Sequence, residues 1–171
     1  YSTNLTAEIL GLSASGAASL PASAGAMDAY LAQGYGCASA RMVDHSGLGA
    51  ASRVTAADMV ALLVAAGPQG PLRPILKPFE MRDARGKPIR NHELTVQAKT
   101  GTLNFVSCLT GYCTAPGGRV LAFAILSGDL DRRSALGEDE QDQPPGAADW
   151  NQRAKQLQQG LLERWGRLYA A

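Results

Sequence analysis

The stretch Val96-Gln97-Ala98-Lys99-Thr100-Gly101-Thr102 decides how the rest of the chain is read. Val96 and Ala98 alternate with polar neighbours, the two-residue period of a strand with one buried face. Gly101 carries no Cβ, so the backbone there can turn or be approached closely. The sequence continues as Leu103–Tyr112, which reads as a second strand forming a hairpin with the first. After Pro116-Gly117-Gly118 comes a third strand, Arg119–Ser127. A lysine and a threonine on the solvated end of an edge strand need no function of their own. The setting of the tripeptide Lys99-Thr100-Gly101 therefore carries the weight.

The chain has 171 residues, enough for one domain with a real core, and its 46% hydrophobic and 18% charged residues place it among ordinary globular proteins. A formal net charge of +1 gives no electrostatic reason to expect nucleic acid or an anionic membrane as partner. No apolar run reaches the roughly 20 residues that span a bilayer. The chain begins at Tyr1 without an initiator Met, which reads as a processed or truncated piece. Cys37, Cys108 and Cys113 are an odd set, so at least one thiol is free or pairs between chains. Cys108 and Cys113 lie five apart on one strand, face opposite sides and cannot join. Cys37 with either of them stays open, and the spacing matches no zinc site.

From the N-terminus, Leu5, Ile9 and Leu12 fall on one helical face. Ser2-Thr3-Asn4 stands just before them, a Ser-x-Asn triplet that also suits a helix cap. Gly11–Pro21 reads as a loop or frayed helix end, and Ser23–Gln33 as a helix stopped by Gly34. Ala38–Val43 could be a short strand. Val43-Asp44-His45-Ser46-Gly47-Leu48-Gly49 is a tight loop. Thr55-Ala56-Ala57-Asp58 resembles a capping box opening a helix that carries Met59, Leu62, Leu63 and Ala66. Prolines 68, 71, 74 and 78 leave room for one short helical turn. The basic residues Arg82, Arg85, Lys87 and Arg90 read as a solvated loop, and Gly128–Ala148 as a mobile acidic one. Trp150, Ala154, Leu157, Leu161, Trp165 and Leu168 mark a closing amphipathic helix of about five turns, packed on the sheet. The sequence shows no internal repeat and no second domain.

Three motifs now stand in order: Tyr-Ser-Thr-Asn-Leu before a helix, Val-Asp-His-Ser-Gly-Leu in mid-chain, and Ala-Lys-Thr-Gly-Thr-Leu before a hairpin. Together they resemble the C-terminal part of the D-alanyl-D-alanine carboxypeptidase/endopeptidase family, the class C low-molecular-mass penicillin-binding proteins. The resemblance spans nearly the whole chain. It implies an α/β fold of the α+β type, a mainly antiparallel sheet flanked by helices, here the C-terminal portion of one β-lactamase/transpeptidase-like catalytic domain. It implies a periplasmic serine peptidase that trims peptidoglycan stem peptides, is inhibited by β-lactams and needs no cofactor or metal. Ser2 would shuttle a proton toward the leaving amine, and the Asn4 amide would hold a neighbouring lysine and the substrate backbone. Lys99 would supply fixed positive charge. The Thr100 and Thr102 hydroxyls would bind the terminal carboxylate, and the Thr102 N–H would form half of the oxyanion hole. Gly101 would leave room for substrate along the strand. Ser46 and Leu48 would be further substrate contacts.

The chain departs from the family pattern twice. Relatives usually read Asp-Gly-Ser-Gly-Leu-Ser-Arg in mid-chain, whereas His45 here replaces the Gly and Gly49-Ala50 replaces Ser-Arg. Arg53 stands near enough in sequence to substitute for that Arg. None of Lys77, Lys87, Lys99 and Lys155 has a Ser three residues before it, so the nucleophile motif Ser-x-x-Lys is absent. The resemblance places it upstream, which makes this chain inactive alone. Three other readings stand beside this one: a non-catalytic peptidoglycan-binding relative, a β-lactamase, and an unrelated hydrolase built on Ser46 with His45 or His92. The two histidines otherwise read as surface loop residues.

Overall fold

The computed structural model describes residues 3–83, 85–137 and 144–169. Their contacts fall into two compact units, Tyr1–Ala66 and Gly67–Ala171.

The first unit holds three helices, α1 (Thr3–Ser15), α2 (Leu20–Tyr35) and α3 (Ala56–Ala66). The stretch Gly11–Pro21, expected as a loop or frayed helix end, is mostly helix. α1 runs through Gly11 and stops only at Gly16, whose φ of 64° is the left-handed conformation that ends a helix. α2 opens at Leu20 because Ser19 caps it, its hydroxyl accepting the Ala22 N–H at 3.4 Å. Pro21 lies in the first turn, where its missing N–H costs nothing. The stop is Gly36, at φ 71°, and not Gly34. Ala38–Val43 forms no strand; only Arg41 pairs with Arg53, as an isolated bridge. The capping box is present as read. Thr55 Oγ1 accepts the Asp58 N–H at 3.1 Å, and Asp58 accepts the Thr55 N–H at 3.1 Å. Hydroxyls of Ser39 and Thr55 also donate to the Asp58 carboxylate and hold its pKa down to about 2.

The second unit is built on a four-stranded antiparallel sheet in the order β1 (Lys77–Phe79), β2 (Thr95–Leu103), β3 (Val106–Thr114), β4 (Val120–Gly128). The three expected strands are all there. β1 is the addition; Pro78 hid it, yet a proline is tolerated at a sheet edge. A 3-10 turn at Arg73–Ile75 precedes it, as the proline spacing allows. Val96, Ala98, Leu109, Cys113, Phe123 and Ile125 share one face of the sheet and form a core with Met81, Leu94 and Leu162.

That face is covered by α5 (Ala147–Leu168), and much of the expected stripe serves: Ala154 is buried, and Leu161 and Trp165 pack against the core. Ala154, Gln158, Leu162 and Gly166 are buried, while Leu157 and Leu168 are exposed. A polar residue sits in the middle of the buried stripe, which apolar periodicity alone passes over. The Gln158 amide donates to the Ser107 carbonyl at 3.0 Å and to its hydroxyl at 3.1 Å, so its burial is satisfied. Gly166 lets the helix press onto Leu94, whose side chain fills the place of a Cβ. The expected mobile loop after Gly128 is a helix in part. α4 (Leu130–Ser134) is capped by Asp129, which accepts the Arg132 N–H at 3.2 Å. Residues 138–143 of that loop lie outside the described residues.

The β2–β3 hairpin turns on Asn104-Phe105, with Phe105 at a φ of 59°. A phenylalanine in that region is strained by about 1–2 kcal/mol. Its ring is buried edge-on against Trp150, 6.4 Å between centroids, which offsets the strain. Arg82, Arg85, Lys87 and Arg90 are exposed, as read. All three cysteines are free. Among the described residues no helix is long and apolar enough to cross a membrane, and no cluster of His, Cys, Asp and Glu could hold a metal.

Candidate active site

Lys99, Thr100, Gly101 and Thr102 occupy the second half of β2 and are all exposed. β1 pairs only with Val96, Gln97 and Ala98. Beyond Ala98, among the described residues, no strand pairs with β2 on that side. Among the described residues, the backbone from Lys99 to Thr102 thus forms an edge with no strand beside it, while the Leu103 carbonyl accepts from the Asn151 amide at 2.9 Å. Strand alternation puts Thr100 and Thr102 on the α5 side, in register with Leu109 and Ser107. Lys99 and Gly101 face the other side, in register with Thr110 and Cys108. A molecule can therefore meet the lysine and the two threonines together only by lying along the edge. A depression of about 210 Å³ opens there, lined by Lys77, Pro78, Phe79, Ala98, Lys99 and Thr100. The Lys99 ammonium donates to the Thr100 carbonyl at its rim.

Two glycines on this hairpin differ in purpose. Gly111 faces Ala98, and an ideal Cβ there would overlap the Gln97 carbonyl oxygen and lie 2.7 Å from the Ala98 Cα. The fold requires it. At Gly101 a Cβ would meet only the Cys108 Cβ, at 3.6 Å, an ordinary contact. Nothing in the packing of the described residues asks for glycine at that position.

Upstream of the edge, Arg73 ties β2 to β3. Its guanidinium donates to Gln97 Oε1 at 2.6 Å and Thr114 Oγ1 at 2.9 Å and lies 5.7 Å from the Tyr112 ring centroid. The sequence offered no sign of this brace, because a lone Arg among prolines has no periodicity. Cys113 lies in the core and Cys108 on the Lys99 face, opposed as expected, and burial pushes both thiols up.

In the first unit, Ser2 lies outside the described residues. Asn4 is exposed in the first turn of α1. Ser46 and Leu48 belong to a loop gathered around one carboxylate. Asp44 accepts the Ser46 hydroxyl at 2.6 Å, the Leu48 N–H at 3.0 Å, the Gly49 N–H at 2.7 Å and the Ser52 hydroxyl at 3.2 Å. Burial opposes the Asp44 charge, but these donors outweigh it and keep the carboxyl below its usual range. Leu48 is left 55% exposed. The loop is fastened to α1 by Glu8, which accepts the His45 N–H at 3.1 Å and the Ser46 N–H at 3.0 Å. Sequence reading missed Glu8. Its signal was the four-residue step from Asn4, which puts both on one helical face.

The histidines are not simple surface residues. His45 is half-buried: its ring takes the place of a Cβ on Gly11, and its Nε2 lies 2.7 Å from the Ser23 hydroxyl. His92 is half-buried too, accepting the Leu94 N–H at 3.1 Å. Since His45 binds Ser23 and Ser46 binds Asp44, the two do not form a nucleophile–base pair, which removes His45 as the base of the unrelated-hydrolase reading. Arg53 donates to the Ala50 carbonyl at 2.7 Å and the Ser52 carbonyl at 2.8 Å, so its guanidinium braces its own loop.

Comparison with known proteins agrees with the family resemblance. The family described as D-Ala-D-Ala carboxypeptidase 3 (S13) matches residues 1–148. Carboxypeptidase Rv3627c of Mycobacterium tuberculosis is 34% identical over 145 residues, covering 75% of this chain and 31% of that protein. The chain therefore spans about a third of its relative's length. No solved structure matches it. With the Lys99-Thr100-Gly101 edge, the Asn4 helix and the Asp44 loop all inside the matched span, the chain belongs to the D-Ala-D-Ala carboxypeptidase 3 (S13) family of peptidases.

Proposed function

We propose that the protein is a serine-type D-Ala-D-Ala carboxypeptidase, with endopeptidase capacity, that cleaves peptidoglycan stem peptides in the periplasm through an acyl-enzyme and is acylated by penicillins. This chain supplies the Ser-x-Asn and Lys-Thr-Gly half of the site. The nucleophile and its base lie in a Ser-x-x-Lys outside these residues, because no lysine here follows a serine at that spacing. The chain alone is then inactive.

The observation that carries this reading is the open edge beside an unneeded glycine. A peptide laid along Lys99–Thr102 adds a strand to the sheet and takes its main-chain hydrogen bonds. It would come close over Gly101, where a side chain would stand in its way. Lys99 offers its charge to the substrate carboxylate, and the Thr100 and Thr102 hydroxyls donate to it. The Thr102 N–H joins the nucleophile's own N–H in holding the developing oxyanion. Asn4 orients the peptide backbone, and Ser2 relays the proton to the departing D-Ala nitrogen. The acyl–enzyme ester is then hydrolysed by water, which frees the serine hydroxyl.

Gly101→Ala in the full-length protein tests this. The melting temperature should stay within about 2 °C, since the Cβ finds ordinary contact distance. Acylation by a fluorescent penicillin should fall at least about tenfold. A parent-like acylation rate would show that nothing approaches this edge. The missing Ser-x-x-Lys also favours a second reading, a non-catalytic peptidoglycan-binding relative. A full-length parent that binds D-Ala-D-Ala peptides but never releases D-Ala would establish it.

A further inference from the structure

We infer that Glu8 is a positioning residue of this site, fixing the Asp44–Gly49 loop against the helix that carries Asn4 so that Leu48 meets the side chain preceding the scissile D-Ala-D-Ala. The inference rests on the peptidase reading above. Asn4, Glu8 and Gly11 follow one another at i, i+4 and i+7 along α1 and so form one stripe. Two of the three hold the loop. Each Glu8 carboxylate oxygen takes one N–H, Oε2 from His45 and Oε1 from Ser46. Gly11 receives the flat of the His45 ring, and that ring is pinned from behind by the buried Ser23, whose hydroxyl also lies 2.8 Å from that of Ser15.

The loop itself has little freedom, because Asp44 collects three of its polar hydrogens and a fourth from Ser52 just beyond it. It moves as a piece, and α1 sets where the piece sits. The two N–H donors hold the Glu8 carboxyl below its usual range, the His45 N–H contributing most. Ser46 has given its hydroxyl to Asp44, so the group this loop offers outward is the apolar Leu48. One helix thereby carries both the amide that grips substrate backbone and the anchor of the surface that meets substrate side chain. Glu8 stands one turn, about 6 Å, from Asn4.

The test is Glu8→Gln in the full-length protein. A glutamine keeps the size but has one acceptor oxygen for two N–H groups, and its own NH₂ would face a donor. Amide exchange at His45 and Ser46 should speed up at least about tenfold. For a stem-peptide mimic with a long side chain before D-Ala-D-Ala, KM should rise about tenfold with kcat within about twofold. For the same peptide with glycine there, both constants should stay at parent values. Gly11→Ala should give the same split by displacing the His45 ring, while favouring α1 itself. Equal losses on both peptides, or parent-like exchange at the two amides, would overturn the inference. A parent that releases D-Ala from neither peptide would overturn the peptidase reading instead, and exchange at His45 and Ser46 would still decide the anchoring.

Discussion

Replacing Lys99 by alanine in the full-length protein should lower acylation by penicillin about 10²–10³-fold and leave the fold intact. The side chain is exposed, and among the described residues its ammonium donates to the Thr100 carbonyl beside it. It buries no apolar surface on the core face, which belongs to Val96 and Ala98. What it provides is a fixed positive charge at the start of an unpaired strand edge, where a peptide's carboxylate would arrive. In a site that closes over substrate, such a charge acts in a medium far less polarisable than water, so its removal is felt chiefly in the rate. Arginine at this position should not restore the rate, because a planar fork cannot replace a point charge on a flexible stem. The readout is labelling rate against melting temperature. A variant that labels like the parent makes Lys99 a solvated edge residue, and one that fails to fold makes it structural.

Gly111→Ala should do the reverse, removing stability and, with it, everything else. The added Cβ would run into the Gln97 carbonyl and the Ala98 backbone across the β2–β3 ladder. These are backbone atoms in the middle of a nine-residue pairing and cannot swing aside as a flexible side chain would. Relief requires the strands to part where Ala98 and Phe123 flank the glycine in the core. The expected loss is about 3 kcal/mol, a fall of roughly 10–20 °C in melting temperature for a unit of this size. Thermal unfolding of the variant gives the answer directly. A parent-like transition would mean that β2 and β3 lie further apart at Gly111 than this ladder allows.

The pair of glycines shows what sequence alone can and cannot tell. Both Gly101 and Gly111 are glycines in strands, and their letters are identical; only the partner strand tells a fold requirement from a vacancy. The three long strands and the Thr55–Asp58 capping box were legible because each follows from local chemistry: alternation, turn residues, reciprocal caps. β1 was not, since three residues containing a proline carry no period. The face of α5 was legible only in part: Ala154, Leu161 and Trp165 turn inward as expected, but Gln158 is buried on the strength of a partner, Ser107, about fifty residues away. The candidate site divides in the same way. Lys99 to Thr102 could be read from a motif, as could Asn4. Glu8 could not, because its worth lies in two backbone N–H groups from a loop far along the chain. His45 was read as a loop residue for the same reason, its partners Gly11 and Ser23 lying on two other elements.

The most direct test of the account is covalent labelling of the full-length protein with a fluorescent penicillin, followed by digestion and mass-spectrometric mapping of the adduct. The account predicts one adduct per molecule, on a serine that precedes a lysine by three positions and lies outside residues 1–171, with labelling suppressed by an acyl-D-Ala-D-Ala peptide. An adduct on Ser2 or Ser46, or no adduct together with no release of D-Ala, would contradict it.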